Sequence, residues 1–117
     1  EMLIMEPIMR ILTYQDLDVY GHDVCELCYS EYYLDKKHWH MDSIYVPWDD
    51  MSLLSKYIDK IFDKFHYFGP QIITYDEWKM IENMCLVDNP NEKDFFEKVN
   101  NWLKSSVQNA WFIYYGV

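Results

Sequence analysis

The hydrophobic period of the second half of this chain changes once, and that change confines it to a mixed fold. Met51, Leu54, Ile58, Ile61 and Phe65 recur at three- and four-residue steps, with Lys56, Asp59, Lys60, Asp63 and Lys64 on the other side. That is the spacing of an amphipathic helix. It predicts a helix over about residues 50–66, opened by Asp49 and Asp50 after Pro47 and stopped near Gly69-Pro70. Thr74 with Glu77 reads as a capping box for a second helix over about 75–86, with Trp78, Ile81, Met84 and Cys85 on one face and Asp88-Asn89-Pro90 as its stop. Asn91 can cap a third helix, whose inward stripe is Phe95, Val99, Trp102, Leu103 and Val107. The run Trp111-Phe112-Ile113-Tyr114-Tyr115 then abandons helical spacing and predicts a terminal strand.

The first half reads as β-rich. Ile8 to Tyr14 suits a central strand, and His38 to Val46 another, with Trp39, Met41, Ile44 and Val46 inward. Residues 23–34 stay open between two readings. Asp23 and Glu26 make a capping-box pattern with Val24, Leu27, Cys28 and Tyr32 on one helical face, whereas Cys28 to Tyr33 has strong β propensity. The balance leans to strand. The expectation is therefore a single α+β domain over 1–117: a mainly antiparallel sheet of three or four strands, with about three helices on one face.

Composition sharpens this. Half the residues are apolar and 19% are aromatic, which excludes a disordered chain. A domain this small cannot enclose every ring, so some Tyr and Trp belong to the surface, where they favour contacts. Three cysteines, Cys25, Cys28 and Cys85, cannot all pair internally, which fits a reducing compartment. The start has no cationic segment followed by an apolar core, and no apolar run approaches the ~18 residues of a membrane span. The expected location is cytoplasmic, with Met2, Met5 or Met9 as candidate natural starts.

The net charge of −10 is concentrated near the beginning. Residues 1–50 carry eleven acids against Arg10, Lys36 and Lys37, a net −8, and residues 51–117 carry nine acids against seven lysines, a net −2. From Asp16 to Asp35 no cation interrupts Asp16, Asp18, Asp23, Glu26, Glu31 and Asp35, and Tyr14, Tyr20, Tyr29, Tyr32 and Tyr33 are interleaved among them. Such a field repels nucleic acid and anionic membrane and attracts cationic surfaces. Tyrosine rings stack on guanidinium planes while carboxylates accept paired hydrogen bonds. Asp16, Asp18, Tyr20, Asp23, Glu26, Tyr29, Glu31, Tyr33 and Asp35 are accordingly the candidate partner-binding residues. A bland alternative has the tyrosines in a half-buried strand and the acids simply solvated.

Other chemistries fit less well. Cys25, Cys28, His38 and His40 could in principle supply four zinc ligands, but only nine residues separate the pairs and a chain with its own core gains little from the metal. The C-x-x-C spacing also suggests redox work, yet Asp23 and Glu26 would raise the first thiol's pKa rather than lower it. His22 beside Asp16, Asp18 and Asp23 could serve acid–base catalysis, but no phosphate loop, nucleophile elbow or zinc-helix motif is present. The reading is a non-enzymatic binding protein without metal or cofactor, monomeric, with a basic protein as partner.

In size, acidity, aromatic richness and the closing run Trp111 to Val117, the chain resembles immunity proteins of bacterial toxin systems, especially those against contact-dependent growth inhibition. It departs from the barstar type, whose sheet is parallel and whose inhibitory acids lie on an early helix. The resemblance implies a cytoplasmic toxin inhibitor that binds one cognate toxin domain, often a nuclease, at its active site or an exosite. Alternatives are a nucleic-acid-mimicking inhibitor of a DNA- or RNA-binding protein and a small zinc-binding adaptor.

Overall fold

The computed structural model describes residues 6–35, 37–106 and 108–116. A short helix α1 (Leu17–Tyr20) leads into strand β1 (Val24–Tyr29), and strand β2 (Ile44–Pro47) runs directly into helix α2 (Trp48–Met51) and then α3 (Ser55–Ile61). Strand β3 (Gln71–Thr74), helix α4 (Tyr75–Asp88), helix α5 (Lys93–Lys104) and strand β4 (Trp111–Gly116) complete the chain. The four strands form one sheet in the order β2-β1-β4-β3, antiparallel throughout. This is the expected α+β architecture.

Alternation along the central strands divides the sheet into two faces. Cys25, Leu27, Val46, Ile73, Phe112 and Tyr114 meet Leu54, Ile58, Trp78, Ile81, Phe96, Val99 and Leu103 in the main core, so α2 to α5 cover one face. The second face carries Val24 and Tyr45 against Leu17, and Cys28, Ile113 and Tyr115 against Tyr32 and Trp111. A loop, not a helix layer, closes that side.

Residues 24–29 are strand, followed by a 3-10 turn at Ser30–Tyr32, which resolves the open segment. The capping box at Thr74 and Glu77 is formed in both directions. Other local expectations yield to tertiary contacts. Ile8 to Tyr14 is not a strand; it makes one antiparallel bridge, Leu12 to Tyr45. Its N–H groups are claimed by carboxylates instead: Ile8 and Met9 donate to Glu92 at 2.8 and 2.9 Å, Arg10 to Asp50 at 2.9 Å, and Thr13 to Asp16 at 2.8 Å.

Asp49 and Asp50 do not cap a helix, because Pro47 is the N-cap residue and Asp50 is buried under Arg10. The helix expected over 50–66 is broken by a 3-10 turn at Ser52–Leu54 and ends at Ile61, where Phe62 turns extended. Phe65 then packs on Tyr67 and Tyr114, a burial that continuing the helix would forgo. Asn91 caps nothing; its amide donates to the Glu6 carbonyl and to Glu92. Of the α5 stripe, Phe95, Val99 and Leu103 are buried and Trp102 is half-buried, and Val107 lies outside the described residues.

Three carboxylates are buried among the described residues, and each pins an irregular segment. Glu92 and Asp50 hold the approach to α1, as above. Glu26, fully buried between Tyr45 and Tyr115 in register, accepts from Trp39 N at 2.5 Å, His40 N at 3.0 Å and Ser43 Oγ at 2.6 Å. Hydrogen bonds to carboxylates are worth more than neutral ones, and leaving their donors buried and unpaired is costly. Glu26→Gln places an amide NH2 against these donors. It is expected to lower the unfolding free energy by about 2–3 kcal/mol in urea titrations followed by tryptophan fluorescence, while Glu31→Gln leaves the midpoint unchanged.

Candidate binding surface

The acidic, tyrosine-rich segment is divided by its own strand. Asp16, Asp18, Tyr20 and Asp23 lie on and beside α1, at the Val24 end of β1. Glu31, Tyr33 and Asp35 lie in the turn beyond its Tyr29 end. A six-residue strand separates the two groups by roughly 17–20 Å. All seven are exposed.

Glu26 and Tyr29 are not part of this surface, which corrects their assignment as contact residues. Both sit in β1, where every residue is buried because neighbouring strands flank it and both its faces are covered. Glu26 holds the loop described above. Tyr29 stacks on Trp102 at 4.3 Å and donates its hydroxyl to the Trp102 carbonyl at 2.7 Å, fixing β1 to α5. The strand ends before Ser30, so the β propensity of Cys28 to Tyr33 is realised only as far as Tyr29.

Local bonds settle the remaining residues. Asp16 accepts the Thr13 N–H and closes the turn that starts α1, and Tyr20 lies under the Arg10 guanidinium at 5.4 Å. Tyr33 meets Trp111 edge-on at 5.8 Å. Asp35 accepts the Lys37 N–H at 2.9 Å and lies 3.7 Å from His40. Among the described residues, the carboxylates of Asp18, Asp23 and Glu31 take no hydrogen bond or ion pair, so these three are free to meet a partner.

Nothing in the local order of residues signals the loop that links the two groups. Residues 38–43, expected as part of a strand, instead cross the second sheet face together with Lys37. Trp39 adopts a left-handed φ of 70°, which breaks strand alternation at that residue. Its ring lies 4.8 Å from His22 on the α1 side, and His40 stacks on Tyr32 at 3.8 Å on the other. Met41, expected inward, is 71% exposed, and with Val19 (95%) and Leu34 (88%) it places large apolar side chains in water beside the free acids.

The cysteines are buried and serve the core. Cys25 and Cys28 point to opposite sides of β1, one into the main core and one into the second-face cluster. Among the described residues no group of three or more His, Cys, Asp or Glu is placed to hold a metal ion. Burial pushes the thiols of Cys25 and Cys85 up to about 11 and that of Cys28 to about 12, with Asp23 and Glu26 adding smaller repulsions at Cys25 and Cys28. No helix among the described residues is long and apolar enough to cross a membrane.

No protein-family model matches the chain, and no solved structure matches it. It is 32% identical over 113 residues to glutathione S-transferase B of Cavia porcellus, an alignment covering 84% of this chain and 48% of that protein. The chain thus spans about half the length of the curated relative it matches.

The thiols carry a pH dependence. Unfolded, they ionise near 9.0; folded, near 11 to 12. Between these values the unfolded state holds fewer protons, so stability is fully present below pH 9 and falls as pH rises through 11 to 12. Thermal melts at increasing pH should decline over that window, and a thiol reagent should modify none of the three cysteines at pH 8 without denaturant.

Proposed function

We propose that this chain is an inhibitor, an immunity protein of the cytoplasm, that neutralises a basic toxin domain through the face bearing α1, the 30–35 turn and the 37–43 loop. The observation that carries the reading is the pairing of the exposed Val19, Leu34 and Met41 with carboxylates that have no partner of their own among the described residues. Apolar tips supply area to bury, and the ring of acids selects a cationic partner and speeds its approach. Asp16, Asp18 and Asp23 form one lobe of this surface and Glu31, Tyr33 and Asp35 the other. A partner touching both must span roughly 20 Å, within the reach of a standard-sized protein interface.

Co-expression with the toxin domain encoded next to its gene tests this directly: rescue of growth is expected. Association should slow steeply with salt, and the Asp18→Asn/Asp23→Asn variant should associate about fivefold more slowly at low salt with its melting temperature unchanged. An unaltered rate would remove this lobe from the interface.

The similarity to a glutathione S-transferase favours a second reading, in which the chain is part of a glutathione-dependent transferase. Its three thiols are all buried and held protonated at neutral pH, so the sulfur chemistry would come from bound glutathione. Retention on immobilised glutathione, with conjugation of an electrophilic acceptor, would establish that reading. The inhibitor reading expects neither.

A further inference from the structure

The loop over the second sheet face forms one wall of an open groove of about 480 Å³, lined by Tyr32, Trp39, His40, Met41 and Asp42. We propose that this groove receives the guanidinium group of an arginine side chain carried by the partner. The proposal rests on reading this face as the contact surface for a basic protein, and it names the chemistry that the surface selects.

The lining suits a flat cation. Tyr32 and His40 stack at 3.8 Å with 13° between their planes, and the half-buried Trp39 adds a second aromatic wall. Asp42 Oδ2 accepts the Tyr32 hydroxyl at 2.8 Å, and Oδ1 has no partner among the described residues. Asp35 lies beyond His40 and adds negative charge at the rim. Ring faces attract cations, and a carboxylate beside them fixes the N–H groups of a guanidinium. An anion would meet two carboxylates here. Arginine fits better than lysine because its plane can stack and its donors are set in a fork, whereas an ammonium is a compact, strongly hydrated point.

The groove is held in shape before any ligand arrives. Glu26 binds the N–H groups of Trp39 and His40, the Tyr45 hydroxyl donates to the His40 carbonyl at 2.6 Å, and Trp102 Nε1 donates to the Asp42 carbonyl at 2.8 Å. A loop without regular structure is thus tied to β1, β2 and α5. Such ordering removes entropy that binding would otherwise have to overcome.

Titration of the full chain with L-arginine amide at low salt, followed by NMR, tests the assignment, with the uncharged isostere L-citrulline amide as control. Saturable shifts confined to Tyr32 and residues 39–42 are expected with arginine amide and none with citrulline amide. Asp42→Asn should weaken binding about tenfold, as loss of a charge-assisted contact implies. Met41→Lys, which sets a cation at the exposed lip, should abolish it, with near-ultraviolet circular dichroism confirming that both variants fold. Absence of saturable shifts, equal shifts from citrulline amide, or full affinity in Asp42→Asn would overturn the proposal. Toxin binding at undiminished affinity by Asp42→Asn would remove the groove and leave the inhibitor reading standing. Arginine amide binding without any neutralised toxin would do the reverse.

Discussion

A carboxylate buried at the middle of the sheet, Glu26, decides how the second face is closed. Taking such a group out of water is unfavourable unless donors surround it, and the strand neighbours of Glu26 on β1, Tyr45 and Tyr115, supply none of them. The donors come from Trp39, His40 and Ser43, so the chain between the turn and β2 is drawn back across the sheet. Trp39 accepts a left-handed backbone to make this possible. Glu92 and Asp50 repeat the device where the chain approaches α1, replacing a strand ladder with bonds from backbone N–H to carboxylate. In all three cases acidic side chains organise segments that have no regular structure.

This divides the acidic residues into two populations with different work. The buried ones fix loops and leave the surface. Of the exposed ones, Asp16, Asp18, Asp23, Glu31, Asp35 and Asp42 lie in the segments on either side of, or within, the loop that Glu26 holds. A surface field and a rigid aromatic groove are therefore consequences of one folding event. The inhibitor reading depends on the first and the arginine site on the second.

The covered face shows a simpler logic. Each central strand sends alternate residues into one apolar layer, and α4 and α5 meet it with Trp78, Phe96 and Leu103. The helical periodicity predicted Trp78 and Leu103, though not Phe96, because packing on a flat apolar sheet demands little beyond a stripe at the right spacing. The same stripe failed between Ser52 and Phe65, where two short helices and an aromatic turn bury more than one straight helix would.

What the sequence determined by itself was whatever depends on near neighbours. Period, capping at Thr74 and the aromatic closing strand are set within a few residues, and they yielded the α+β class, two of the helices and β4. The excess of acid over base was equally plain. Only the tertiary structure decided which acids face water. Glu26 lies in the same cation-free run as Asp23 and Glu31 and differs from them solely in the partners that distant segments bring to it. The contact surface could not be read residue by residue, because exposure is settled by strand pairing and by the loop that covers it. The groove joins Tyr32 of the turn to Asp42 of that loop, and a backbone turn at Trp39 shapes it; nothing in the local order of residues announces such a turn.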